Sequence, residues 1–228
     1  MTRAFLRFGF VSGVLMLLAV ISFGILGATL VAGQPLAANA PEPAVRAYFA
    51  HAALAPLAMW QFPAALLGAA FTAALAERLA GTEGAPWARL AFGLFLALAA
   101  LFVACAALTA PLVDAAMAGA PIMATYRLYD VLYNSGADAL EGGAALLFGV
   151  ALLAAREARV AGWLGVAAGV AHVPLVLEGT LGLPSAVRLL GMLVFVAWAV
   201  ATLAWLRRAA YAKGADAAAG PRGHARGT

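Results

Sequence analysis

The sequence predicts an all-α integral membrane protein: a bundle of six transmembrane helices with both termini in the cytoplasm. Three observations predict it. Of the 228 residues, 65% are hydrophobic and only 11% charged, against about 25% charged in a soluble domain. The apolar residues gather into six runs, each close to the roughly 20 residues that cross a bilayer. The 14 Lys and Arg are placed unevenly. With six crossings, Arg3, Arg7, Arg78, Arg89, Arg156, Arg159, Arg207, Arg208, Lys213, Arg222 and Arg226 fall on one side, and Arg46, Arg127 and Arg188 on the other. That bias assigns the richer side to the cytoplasm. It also accounts for the net charge of +4 without nucleic acid. Cys105 is the only cysteine, so no intrachain disulfide and no cysteine metal cluster is available. The Arg- and Ala-rich composition reads as that of a GC-rich bacterial genome, hence the bacterial inner membrane.

Span one is expected at 8–31, behind Arg3 and Arg7. Ala38-Asn39-Ala40 resembles a signal-peptidase site. The apolar run is longer than a signal h-region, however, and Pro41 would become the new N-terminus, so a retained helix is expected. Gly9 and Gly13 form a GxxxG that permits close helix contact. Span two is expected as one long helix at 47–76, kinked by Pro56 and Pro63, with His51, Trp60 and Gln61 in its outer half. Span three, 90–110, carries no charge and is closed by Pro111.

Span four, expected at 136–155, is approached by a charged ladder. At 100° per residue Arg127, Asp130, Asn134, Asp138 and Glu141 fall within about 80° of arc. Ser135 reads as an N-cap with Asp138 at N3, which would hold Asp138 at the interface at little cost. Glu141 lies nearly a turn deeper, where capping explains less. On span five, 161–181, Gly162, Gly165, Gly169 and His172 share one face, so His172 is expected to fill a helix crossing. Glu178 lies further out, with a salt bridge to Arg188 or Arg46 as its simplest reading. Span six, 186–206, ends at Arg207 and Arg208, and the tail 212–228 has the composition of a disordered segment.

The six spans, the charged approach to span four and RVAGWLGVAAGVAHV at 159–173 resemble uncharacterised bacterial six-span membrane proteins, grouped as a domain of unknown function. The resemblance implies an inner-membrane helical bundle and carries no activity.

Carboxylates inside a span are costly and usually face a cavity or a partner. The residues therefore point first to binding or transport of a small solute or cation. The expected site is an outward-facing polar cavity lined by Glu141, Glu178, Asp138, His51, Gln61, Tyr133 and Arg188. A carboxylate with a burial-raised pKa could equally serve a membrane enzyme as general acid on a lipid-like substrate. A third class is a bundle that only binds a membrane-protein partner, or a second copy, through its Gly-rich faces. Nothing in the motifs calls for a cofactor or metal. There is no HExxH, GxSxG or phosphate loop. His51 and His172 fall at different depths, which argues against a shared haem.

Overall fold

The computed structural model describes residues 2–30, 36, 40–177 and 185–211. The described residues form helices and connecting turns. They are α1 (Arg3–Leu30), α2 (Glu42–Phe49), α3 (Leu54–Ala58), α4 (Gln61–Arg78), α5 (Ala85–Met117), α6 (Met123–Asp130), α7 (Ala137–Ala154), α8 (Arg159–Val176) and α9 (Ser185–Tyr211), with a π-helical turn, Val131–Gly136, joining α6 to α7. Six stretches are long and apolar enough to cross a membrane. The chain is thus a multi-pass helical bundle of membrane-protein type. Glu178 and the tail 212–228 lie outside the described residues.

The crossing helices form a closed ring in chain order. α1 packs on α4, α4 on α5, α5 on α7, α7 on α8, α8 on α9, and α9 returns to α1. One end of the ring is tied by polar contacts. Arg7 Nε donates to the Ala210 carbonyl at 3.4 Å, and its guanidinium lies over the Tyr211 ring. Arg78 bridges to Glu157 at 2.8 Å and sits over Trp205. The start of α1 and the end of α9 therefore meet at one end of the bundle, where Arg78, Arg89, Arg156 and Arg159 also lie.

Two apolar cores hold the ring. The larger fills the Arg-rich half with Phe71, Phe95, Phe148, Trp198 and Leu203. The smaller closes the other end, where Val45, Phe49, Leu54 and Leu57 of α2 and α3 pack on Leu112, Val113 and Tyr126. The α7–α8 seam is packed backbone to backbone. A β-carbon on Gly149 would lie 2.6 Å from the Val166 nitrogen, and one on Gly165 2.7 Å from the Ala145 carbonyl oxygen. Small residues permit such backbone approach, and in lipid dispersion then supplies much of the association energy.

Several boundaries differ from the sequence reading. The expected helix at 47–76 is three pieces, α2, α3 and α4. Pro56 and Pro63 each lack a donor and crowd the preceding turn; the helix is interrupted ahead of them, at residues 50–53, while Leu54–Arg78 still forms one crossing stretch. Span three does not end at Pro111 but continues to Met117. There Leu112, Val113 and Ala116 bury in the second core, which offsets the hydrogen bond lost at the proline. Span four does not begin at Gly136. Gly136 is helical (φ −68°, ψ −46°), and the stretch from Met123 to Ala154 forms one crossing. Ser135 is therefore no N-cap, and Asp138 sits mid-span, buried. Capping does not offset its cost.

Candidate functional site

Polar side chains collect along span four, from the smaller core towards the larger. Tyr126, Asp130, Asn134 and Asp138 are all buried, although steps of four residues in an α-helix drift about 40° each. The π-turn between them winds more widely, bonding i to i+5. That slower rotation cancels the drift and keeps all four on the inner side. The Ala40 N–H donates to the Tyr126 hydroxyl, and that hydroxyl donates to the Asp130 carboxylate. Asn134 Nδ2 donates to Asp130 Oδ1 at 2.5 Å. A carboxylate receiving such donors is far less costly to bury than a bare one.

Aromatic rings surround this network. Tyr133 stacks on Tyr129 with centroids 5.3 Å apart and planes 9° apart, and Phe49 meets Tyr129 edge-on at 5.6 Å. Phe102 lies 6.4 Å from Tyr133. Beside them on α2, burial raises the Tyr48 hydroxyl pKa above its ordinary value, so the group stays neutral.

Glu141 lies on the interior side of α7. Ala137, Ala145, Phe148 and Leu152, all buried, fall within about 40° of it around the helix. Glu141 is nonetheless only half-buried. Gln61 repeats the pattern on α4. Ala65, Gly68, Thr72 and Leu75 share its direction within about 40° and are buried, while Gln61 is half-buried. Its Oε1 is itself buried and accepts no hydrogen bond among the described residues. On α1, Val20 continues the stripe of Leu6, Gly9, Gly13 and Met16, yet it is 41% exposed. At 1.5 Å per residue these three positions lie about 20–25 Å from the Arg-rich end. On α1, α4 and α7 the stripe that is buried in the main core thus becomes partly exposed at about one level.

Asp138 and His172 lie together in a second place, a groove of about 350 Å³ between α7 and α8 that includes Gly142, Gly169 and Val173. His172 is buried at the crossing, where a β-carbon on Gly142 would meet its Cβ at 2.4 Å. Its Nδ1–H donates to the Ala168 carbonyl at 2.7 Å. Phe195 lies edge-on to the ring at 6.0 Å. The expected placement of His172 at a helix crossing is what the structure shows.

The other expected site residues separate. His51 lies in the turn between α2 and α3, half-buried, and Arg188 in the first turn of α9. His51 is not among the residues lining the Asp138–His172 groove. Glu178 lies outside the described residues. Among those residues no three His, Cys, Asp or Glu side chains converge as metal ligands. The Tyr126–Asp130–Asn134 network was missed as a unit. The i, i+4 spacing of Asp130 and Asn134 signalled half of it, but the tie to Ala40 is visible only in three dimensions. The Gly-rich faces are spent inside the chain. Gly162, Gly165 and Gly169 pack on α7, and Gly9 and Gly13 on Ala74, Phe71 and Leu203.

No family model, curated protein or solved structure matches the chain.

Proposed function

We propose that the protein resides in the bacterial inner membrane with both termini cytoplasmic, and binds or transports a small solute or cation in an outward-facing polar chamber around Glu141 and Gln61. The observation that carries this reading is the Gln61 Oε1 atom, a buried acceptor with no donor among the described residues. It lies at about the level where Glu141 and Val20 are partly exposed on helix stripes that are otherwise buried. An unmet buried acceptor costs about 1–3 kcal/mol, and a ligand carrying N–H or O–H donors, or a positive charge, would meet it. Glu141 supplies the complementary charge. The chamber faces outward because the Arg-rich end, filled by the main core, belongs to the cytoplasm.

Cysteine accessibility tests the chamber. In a Cys105→Ser background, Glu141→Cys should react with a membrane-impermeant thiol reagent added from outside, and Phe148→Cys, two turns deeper, should not. No labelling of Glu141→Cys from either side would overturn the reading. Purified protein should then be screened by thermal shift against small amines, polyols and metal cations. A stabilising hit should lose its effect in Gln61→Leu and in Glu141→Gln. Reporter fusions after Arg89 and Arg159 should read cytoplasmic, and one near Ala118 periplasmic.

A further inference from the structure

A separate feature lies at the Arg-rich end, outside the ring. α4 is recessed between α1 and α5, and the furrow over it has a volume of about 540 Å³. Its floor is Ala73 and Ala76 of α4, and its walls carry Phe5 of α1 and Phe92 of α5. Two charged side chains border it, Glu77 and Arg89, both exposed. They are not joined to each other. The ion pairs among the described residues are Arg46–Glu42 and Arg78–Glu157. The neighbouring Arg7 and Arg78 are occupied, by Ala210 and Tyr211 and by Glu157 and Trp205. The furrow thus combines an alanine floor, two aromatic walls and one unjoined charge of each sign where the helices reach the membrane surface.

We propose that this furrow holds a zwitterionic membrane phospholipid of the phosphatidylethanolamine type, its acyl chain along the floor, its phosphate on Arg89 and its ammonium on Glu77. A single anionic headgroup would be repelled by Glu77. A quaternary choline would leave the carboxylate without a hydrogen-bond donor. Only a headgroup with a phosphate and a primary ammonium answers both charges. The Arg89 fork suits a phosphate oxygen pair, and basic positions between helices near the cytoplasmic surface commonly hold lipid headgroups. The inference is independent of the solute chamber, which lies deeper and inside the ring.

The test uses full-length protein purified in a mild detergent, with retained lipid identified by native mass spectrometry. Delipidated protein is then challenged with phosphatidylethanolamine, phosphatidylcholine and phosphatidylglycerol. Phosphatidylethanolamine should be retained and should stabilise the most. Glu77→Gln should lower the ethanolamine-to-glycerol retention ratio about fivefold, the factor expected of one interfacial charge contact. Arg89→Gln should weaken both lipids. Ala76→Leu fills the floor without touching either charge and should also reduce retention. Equal retention of all three lipids would overturn the proposal. So would a preference for phosphatidylglycerol that Glu77→Gln leaves unchanged, which would mark a plain anionic-lipid site.

Discussion

Replacing Gly149 by Ala adds one methyl group to the α7–α8 seam, and the structure sets its effect. The new carbon would lie 2.6 Å from the Val166 nitrogen, 2.7 Å from the Gly162 oxygen and 2.9 Å from the Gly165 carbonyl carbon. All three are backbone atoms, so no side chain can swing away. Ordinary contact begins at 3.4 Å, and 3.4 − 2.6 gives a required separation of about 0.8 Å. A gap of that size forfeits about a quarter to a half of each affected dispersion contact, and overpacking of this kind costs about 1–3 kcal/mol. Against it stands the better helix propensity of Ala, about 1 kcal/mol. The net expectation is a loss of up to about 2 kcal/mol after the two effects are set against each other. The control is Gly93→Ala on α5, where an added carbon meets nothing within 4 Å and only the propensity gain remains. Thermal unfolding in one mild detergent, followed by size-exclusion retention, should place Gly149→Ala below wild type and Gly93→Ala at or above it. The reasoning is refuted if Gly149→Ala melts at or above wild type.

Three further outcomes follow from single contacts. Arg156 closes α7 with φ at 55°, its N–H bonded to the Leu153 carbonyl and that of Glu157 to the Leu152 carbonyl. This is a Schellman turn with Arg where Gly is favoured, so Arg156→Gly should raise the melting temperature, by about 1 kcal/mol of stability at most. Arg78→Gln breaks the 2.8 Å bridge to Glu157 and the contact over Trp205. It should cost about 0.5–1.5 kcal/mol in low salt, with the difference from wild type shrinking in high salt. Asn134→Leu removes a donor from buried Asp130 and should cost about 1–3 kcal/mol in the same melting assay. Asn134→Ser, which keeps a hydroxyl, should recover part of it.

The six crossings were legible because each apolar run identifies itself, and the position of His172 because Gly162, Gly165 and Gly169 mark one packed face. The carboxylates were harder. Nothing in the letters around Ser135 separates an N-cap from the interior of a continuous helix, since both tolerate Gly136 and Asp138. The π-turn has no sequence signature, because it shifts the register by one residue without altering the composition. Pro56, Pro63 and Pro111 were all visible, but their effect depends on what the following residues can bury. Pro111 is followed by Leu112, Val113 and Ala116, which find the second core, so α5 runs through it. Around Pro56 the helix is interrupted at residues 50–53, and Val45, Phe49, Leu54 and Leu57 bury in that same core. Gln61 was picked as polar and outward, but its unmet oxygen depends on neighbours that no local reading supplies.

Because chain order is ring order, assembly during synthesis is almost entirely local. Each crossing meets the one just before it, and α1 and α9 alone must find each other across the whole length of the chain. Until α9 is inserted, the ring is a five-helix arc whose two edge helices, α1 and α8, lack the helix that joins them. The last helix therefore seals as well as spans. Trp198 then enters beside Phe148, and Arg7 reaches the Ala210 carbonyl only once nearly the whole crossing has been made. A chain halted before α9 would leave both α1 and α8 without the helix that closes the ring.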